Sequence, residues 1–220
     1  MLKELVVWKF DDVLPLLEKI DCGYAPNEAE LSKLSSITVL QGPISSDIHS
    51  LPKSISLLEN LQELDLSWTS IQDLSFLSNL TNLKELDLCG LPIDNIAILT
   101  NLSKLERLEL DDTPVENIEA LAHLKNLEYL DLSDSKVADL SSLAELTNLQ
   151  ILDLSNTPIT NINALAQLQN LETLDLSNTV ISNIDALENM INLDVLHLDR
   201  TRISDISVLS RLVNLSDLRL

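Results

Sequence analysis

The sequence predicts an α/β solenoid that is curved, with a parallel β-sheet on its concave face and short 3₁₀ or helical turns on its convex face. Three leucine registers recur every 22 residues without a slip. They begin at Leu61, Leu64 and Leu66, and each continues to the end of the chain. A fixed period of this size is typical of stacked supersecondary units that cannot bury their own apolar faces alone.

The first part of each unit predicts a short strand. With Leu61 numbered as position 1, positions 4 and 6 are leucine and flank a polar position 5. This period-2 alternation indicates a half-buried strand, in which Leu64 and Leu66 point inward and Asp65 points outward. Stacking the units pairs these strands in parallel at a spacing of ~4.8 Å.

The remaining positions predict a turn and a tight helical segment. Thr or Ser dominates position 9, and we expect its hydroxyl to satisfy buried backbone groups from one repeat to the next. Asn or Asp at position 13 suits the start of a helical segment, and apolar residues at positions 14, 17 and 20 favour a 3₁₀ turn. Asn recurs at position 22, where we expect a left-handed conformation to end that turn.

Three regions follow from this pattern. Residues 61–220 hold seven units that begin at residues 61, 83, 105, 127, 149, 171 and 193, plus a partial last strand. Residues 34–60 read as one irregular repeat, with Leu34, Ile37 and Val39 at positions 1, 4 and 6 and a loop at Gly42-Pro43.

Residues 1–33 do not repeat and are expected to form a partly helical cap over the first unit. Leu2 to Phe10 is apolar and includes Trp8. A helix is predicted over residues 12–20, with Asp12 as its N-cap and Gly23 just past its end, and a second helix is predicted to begin near Asn27.

The sequence ends inside a predicted strand, at Leu218-Arg219-Leu220. Such an end predicts an open sheet edge without a C-terminal cap. Two interpretations stay open: further domains continue the chain, or the edge is buried by self-association.

Composition limits the classes of partner. Lys and Arg total 14 against 35 Asp and Glu, which gives a formal charge of −21. No basic stripe is present, so nucleic-acid binding is not expected, whereas a cationic protein partner is. No apolar stretch reaches the ~18 residues that a membrane span needs. No signal-peptide pattern opens the sequence, so a cytoplasmic location is predicted, with signal-independent secretion as the alternative.

The outward positions of the strands form the candidate binding face. Position 5 carries an acidic column followed by a histidine: Asp65, Asp87, Glu109, Asp131, Asp153, Asp175 and His197. Position 3 carries an apolar-aromatic strip beside it: Tyr129, Ile151, Thr173 and Val195. Trp68 is an anchor candidate at position 8. A column of like charges favours a Lys- or Arg-rich partner surface, and an apolar strip within charge favours a contact surface.

Catalysis is not predicted. Cys89 and His197 lie five repeats apart, ~24 Å by strand spacing, which is far beyond hydrogen-bond reach. An open groove is not expected to shift carboxylate pKa values strongly. No phosphate-binding loop, cofactor site or disulfide framework is indicated. A calcium site among Asp111, Asp112 and Asp134 is the one metal alternative, without a Gly-bearing calcium loop to support it.

The unit resembles the leucine-rich repeat family, which segments such as 148-NLQILDLSNTPITNINALAQLQ-169 illustrate. The 22-residue class is most similar, as in bacterial internalins and the regulatory subunit of phosphatase-1. One departure is Thr or Ser at position 9, where the family usually has Asn. The resemblance implies a leucine-rich repeat solenoid that acts as a protein-binding scaffold. A secreted or surface adhesive protein is the alternative function.

Overall fold

The computed structural model describes residues 7–41 and 46–220, and within them the predicted solenoid is confirmed. Two α-helices, α1 (Phe10–Asp21) and α2 (Glu28–Ser36), precede the regular repeats. The strands of the described part are β1 (Val7–Lys9), β2 (Val39–Gln41), β3 (Glu63–Asp65), β4 (Glu85–Asp87), β5 (Arg107–Glu109), β6 (Tyr129–Asp131), β7 (Ile151–Asp153), β8 (Thr173–Asp175), β9 (Val195–His197) and β10 (Asp217–Arg219). They form one parallel sheet in sequence order.

A 3₁₀ segment follows each strand from β2 to β9 and returns the chain behind the sheet. These segments span Lys53–Leu57, Ser75–Asn79, Ala97–Asn101, Glu119–His123, Ser141–Leu143, Asn163–Gln167, Asp185–Leu187 and Ser207–Arg211. The apolar spacing of three residues therefore predicted the correct helix type.

The core is a set of aliphatic columns between the sheet and the 3₁₀ segments. Leu64 pairs with Leu86, and the same position-4 pairing continues along the sheet to Leu218. Leu86, Leu108, Leu130 and Leu152 are all 0–1% exposed, and the position-6 leucines of complete repeats are equally buried. Each repeat therefore buries its leucines against the next repeat.

The predicted register of the irregular first repeat is wrong. Leu40 pairs with Leu64 and Val39 with Glu63, so Leu40 occupies position 4 and Ile37 occupies position 1. Thr38 confirms this alignment, because its carbonyl accepts from Gln62 N–H as the Gln62 carbonyl accepts from Lys84 N–H. Leu34 instead belongs to α2, where it is buried. The predicted Gly42-Pro43 loop lies outside the described residues, as do Leu2–Val6.

The N-terminal segment contributes a strand as well as helices. β1 pairs with β2, and α1 begins directly after it at Phe10, so Asp12 is not the N-cap. Lys9 holds the N-cap position without a side-chain hydrogen bond. Asn27 caps α2 through a reciprocal capping box with Glu30. That second helix start is therefore confirmed.

Helix α1 is joined to the first 3₁₀ segment by polar contacts, of which the bond from the Ser54 hydroxyl is buried. The Ser54 hydroxyl donates to the Leu17 carbonyl at 2.8 Å, and both Asp21 carboxylate oxygens accept backbone N–H groups of residues 53 and 54. These bonds hold the Asp21 carboxylate in its ionised form: although burial raises its pKa, the bonds to Ser54 and Lys53 lower it overall.

The position-9 hydroxyls bond within their own repeat, not to the next repeat as predicted. The Thr69 hydroxyl donates to the Leu66 carbonyl at 2.8 Å, and Thr157 donates to Leu154 at 2.5 Å. Leu91 replaces the hydroxyl in the second unit. There, Ile93 N–H turns back to the Leu91 carbonyl at 2.8 Å.

The position-13 residues cap the 3₁₀ segments as predicted. Their Oδ1 atoms accept the backbone N–H two residues on, at 2.7–2.9 Å: Asp73, Asn95, Asn117, Asp139, Asn161, Asn183 and Asp205.

The role predicted for the position-22 asparagines is wrong. None of them has a positive φ angle. Their side-chain amides instead donate to a backbone carbonyl of the preceding repeat, as Asn148 does to Lys125 at 2.9 Å. Lys104, the one exception to asparagine, donates to the Asn82 side chain at 2.6 Å. This ladder of amides links successive repeats just before each strand, next to bonds such as that from Gln150 N–H to the Glu128 carbonyl.

Replacing Leu152 by Ala should lower the free energy of unfolding by ~2–5 kcal/mol, because it leaves a cavity in a fully buried column. Chemical denaturation measures this change. Ile151→Ala is the matched control: Ile151 lies on the other side of the same strand and is 37% exposed. We expect the control to cost much less, and equal costs would contradict the assignment of Leu152 to the core.

Candidate partner-binding surface

The outward side chains at positions 3, 5, 7 and 8 form one continuous surface, which we name the strand face. Strand register places the predicted acidic column on it in order. Asp65 lies beside Asp87, and the row continues through Glu109, Asp131, Asp153 and Asp175 to His197. The structure therefore brings the predicted column together.

These aspartates also shape the chain after each strand. Oδ1 of Asp131 accepts both the N–H and the hydroxyl of Ser133, at 2.9 and 2.7 Å. Asp153 and Asp175 accept the N–H of the residue two positions on in the same way. One oxygen thus holds the turn, which explains why this short acid recurs at position 5.

Burial raises the pKa values of three aspartates in the column, contrary to the expectation from an open groove. Burial, opposed in part by the bond from Cys89 N–H and reinforced by neighbouring acids, raises the pKa of Asp87 to about 6. Burial and the charges of Asp131 and Asp175 likewise raise the pKa of Asp153 to about 6. Burial raises the pKa of Asp131 as well. Ionisation of these three aspartates in the folded protein is therefore unfavourable, and a nearby cation would offset that cost.

The predicted apolar strip is also assembled by strand register. Tyr129, Ile151, Thr173 and Val195 are successive neighbours at position 3. Ile151 is 37% exposed, and the other three are half-buried. The strip lies directly beside the acidic column and offers aliphatic surface at the middle of the strand face.

Arg107 covers one end of this strip. Its guanidinium lies 3.4 Å from the centroid of the Tyr129 ring, and its Nε atom donates to Glu109 at 3.0 Å. Sequence reasoning did not assign Arg107 to the site. The register signal was available, because Arg107 precedes Tyr129 by 22 residues in the position-3 column.

His197 is hydrogen-bonded to one carboxylate at the C-terminal end of the column, and its buried Nε2 has no hydrogen-bond partner among the described residues. Its Nδ1 lies 2.9 Å from Asp175 Oδ2, and its Nε2 lies 3.7 Å from Asp217 Oδ2. The side chain is only 15% exposed, and its hydrogen bond to Asp175 links β9 to β8.

Position 8 is a left-handed column that the sequence reasoning missed. Trp68, Asp112, Asp134, Asn156, Asn178 and Arg200 have φ angles of 51–59°, and Gly90 has a φ of 68°. Asp, Asn and Gly tolerate this conformation, so five of these seven residues carried the signal. Trp68 is 59% exposed, and its ring lies against Gly90 of the next repeat.

Cys89 is unsuited to nucleophilic chemistry. Its thiol donates to Asp111 Oδ2 at 2.8 Å, and burial together with that hydrogen bond raises its pKa, so the reactive thiolate is disfavoured. Within residues 7–41 and 46–220, no group of three or more His, Cys, Asp or Glu side chains is arranged to hold a metal ion, the Asp111, Asp112 and Asp134 set included. None of the described helices is long and apolar enough to cross a membrane.

A groove lies on another part of the surface, away from the strand face. Its volume is about 940 Å³, and it runs along the segments between the strands and the 3₁₀ turns, where Pro92, Asp94, Pro114, Glu116 and Lys136 contribute to its walls. These lining residues are mostly polar or charged, and the predicted binding residues are absent from it.

The fold and the strand face together define a solenoid repeat protein: one three-residue strand per 22-residue unit, backed by 3₁₀ turns, with an ordered outer surface. A family profile described as "Leucine Rich repeats (2 copies)" matches residues 103–145 and 147–189. A comparison of the sequence with curated proteins gives no match.

Solved structures extend this comparison to the rest of the chain. An internalin C2 from Listeria monocytogenes has 33% sequence identity and a TM-score of 0.83, over 94% of this chain and 91% of that one. An internalin (InlF) of the same species has 26% identity and a TM-score of 0.83, over 96% of this chain and 61% of that one, so the chain spans about three fifths of that protein. A plant peptide hormone receptor, RGFR1 in complex with RGF2, shares the fold at 23% identity and a TM-score of 0.73, over 84% of this chain and 32% of the receptor.

The chain therefore belongs to the leucine-rich repeat family, with internalin-like repeats. The resemblance predicted from the 22-residue motif is confirmed. This fold is typical of domains that bind other proteins.

Replacing Asp153 by Asn should raise stability at neutral pH. The folded-state pKa of Asp153 is about 6, above its usual 3.8, so the folded protein loses stability as pH rises through 6 and this carboxyl ionises. Asn keeps the Oδ1 acceptor and removes the charge. The difference in denaturation midpoint between the variant and the wild type should therefore grow in favour of the variant as the pH is raised from about 4 to about 7.

Asp73→Asn is the control of opposite sign. Bonds from Ser75 lower the pKa of this exposed cap carboxyl. Its stabilising contribution is therefore present above its usual pKa and lost as pH falls. The Asp73 variant should be the less stable protein at pH 7, and its difference from the wild type should shrink on acidification. A midpoint difference for Asp153→Asn that is constant with pH would contradict the crowded-column explanation.

Proposed function

We propose that this chain is a non-catalytic protein-interaction scaffold that binds the basic surface of a partner protein on its strand face. One observation carries the proposal. Strand register assembles six carboxylates, from Asp65 to Asp175, into a single column beside the apolar strip of Tyr129, Ile151, Thr173 and Val195.

The electrostatics of the column favour a cationic partner. Asp87 and Asp153 keep protons to about pH 6 because burial and like charges disfavour their ionised forms. A Lys or Arg side chain that approaches them replaces repulsion with attraction. Charge complementarity of this kind raises association rates and selects against acidic partners.

The apolar strip supplies the second element of an interface. Exposed aliphatic and aromatic side chains surrounded by charge are typical of contact surfaces, whose centre is apolar and whose rim is polar. Ile151 lies at the middle of the strip, with Tyr129 and Thr173 on either side. We infer that the partner places apolar side chains over this strip and basic side chains over the column, with His197 and Trp68 at its ends.

A secreted or surface-attached adhesive protein is the second candidate. The similarity to two internalins over 94% and 96% of the chain favours it. The predicted cytoplasmic location favours the intracellular form of the scaffold instead. Fractionation of the native host cells with an antibody against the chain separates these two functions, because only the adhesive protein should be found at the cell surface or in the medium.

Removing charge at Asp131 and Asp153 should abolish or weaken partner capture. Asp131→Asn/Asp153→Asn keeps both Oδ1 acceptors for the Ser133 and Ser155 turns while it removes two carboxylates. Proteins captured from host extract by the wild type are identified and purified, and their affinities are then measured against both forms. We expect the variant to bind about tenfold more weakly or worse, since close charge pairs couple by ~1.5 kcal/mol or more.

The matched control is Asp94→Asn/Glu116→Gln. These two exposed acids also lie in adjacent repeats, but at position 12, outside the strand face. A partner of the strand face should bind this control and the wild type equally. Equal affinity for all three proteins would refute the acidic strand face as the binding surface.

A further inference from the structure

Trp68 is an exposed aromatic ring fixed in place by a glycine of the next repeat. It sits at the left-handed position 8, where four of the other repeats have Asp or Asn. A Cβ atom at Gly90 would lie 2.5 Å from Trp68 Cε3 and 2.9 Å from Cζ3. The indole therefore occupies the space of the missing side chain, while 59% of Trp68 stays open to solvent.

Two aromatic rings of this chain already make cation–π contacts with basic side chains. Lys33 Nζ lies 4.4 Å from the Trp8 ring centroid, and the Arg107 guanidinium lies 3.4 Å from the Tyr129 centroid. Arg107 is held there by Glu109. Among residues 7–41 and 46–220, no Lys or Arg of the chain lies in this way over Trp68.

The repeats that carry Trp68 and Gly90 are also strongly acidic on the strand face. A depression of about 120 Å³ is lined by Glu63, Asp65, Glu85 and Asp87, together with Gln41, Arg107 and Glu109. Arg107 is already committed to Tyr129 and Glu109. Trp68 follows Asp65 by three residues, and its ring lies against Gly90, which follows Asp87 by three residues. A guanidinium can stack on an aromatic ring while its N–H groups reach carboxylate acceptors, so this combination suits an arginine.

We propose that Trp68, braced by Gly90, is a shelf on which an arginine of the protein partner stacks, with further basic residues of the same segment over the neighbouring carboxylates. This inference rests on the proposed function and specifies it. In this proposal the N-terminal repeats bind an arginine-containing segment of the partner. Gly90 is then a positioning residue that sets the orientation of the Trp68 ring.

The test uses the full chain with Trp8→Phe, so that Trp68 is the one remaining tryptophan. The probe is a short peptide of alternating glycine and arginine, with lysine and citrulline versions as controls. At low ionic strength, the arginine peptide should change Trp68 emission saturably, and the neutral citrulline peptide should not. Trp68→Asn, which places the asparagine of other repeats at this left-handed position, should weaken arginine-peptide affinity about three- to tenfold by peptide anisotropy.

Three outcomes separate this inference from the proposed function. If Trp68→Asn binds the arginine peptide as tightly as its parent while Asp87→Asn binds it less tightly, the shelf is refuted and the acidic strand face stands. If neither variant changes affinity, both are refuted. Equal affinities for the lysine and arginine peptides would overturn the assignment to arginine.

A second measurement tests the brace directly. Gly90→Asn should lower the denaturation midpoint because its side chain collides with the indole. The same substitution combined with Trp68→Asn should cost far less, since both positions then match the repeats around Asn156 and Asn178. Additive effects of the two substitutions would show that the ring does not depend on Gly90.

Discussion

The mutual cover of neighbouring repeats is the constraint on which the rest of this structure depends. A 22-residue coil has one three-residue strand and one 3₁₀ turn, too little to enclose its own leucines. Leu86, Leu108 and Leu130 reach full burial only because strand register places each against its equivalent in the next coil. Register is therefore strict, and strict register turns every outward position into a straight column.

The coil also has to satisfy backbone groups at each change of direction, and short polar side chains do this at four fixed places. Position 5 holds the turn after the strand, position 9 bonds back within the repeat, position 13 starts the 3₁₀ segment, and position 22 reaches the preceding repeat. At position 5 the residue that suits the turn is an aspartate, and its second oxygen stays available. In Asp175 that oxygen lies 2.9 Å from Nδ1 of His197, so it can take a hydrogen-bond partner from outside its own repeat. The acidic column is thus a consequence of turn geometry as well as a candidate binding surface.

Periodicity predicted the features that depend on neighbour relations, and missed those that depend on conformation. The inward leucines, the acidic column and the apolar strip all follow from counting residues in 22s. The first repeat departs from that count, because its Leu40 lies 24 residues before Leu64. A leucine of α2 was therefore assigned to position 1, although it belongs to the helix. The backbone conformations at positions 22 and 8 were harder to predict, because Asn suits both a left-handed turn and a ladder of side-chain hydrogen bonds. Only the backbone angles decide that position 8 is left-handed and position 22 is not.

The carboxylate pKa values could not be predicted from the sequence pattern, because they depend on how deeply the carboxylates of the column are buried among the surrounding side chains. Burial is the largest cause for Asp87 and Asp153 alike, and the adjacent acids add to it. Near neutral pH the folded chain consequently holds ionised carboxylates at a cost to its own stability. A cation that binds the column removes part of that cost, so binding and folding are linked, and a ligand of the folded form stabilises it. The same crowding that weakens the isolated scaffold therefore increases its preference for a basic partner, which is the trade between stability and function expected of a binding surface.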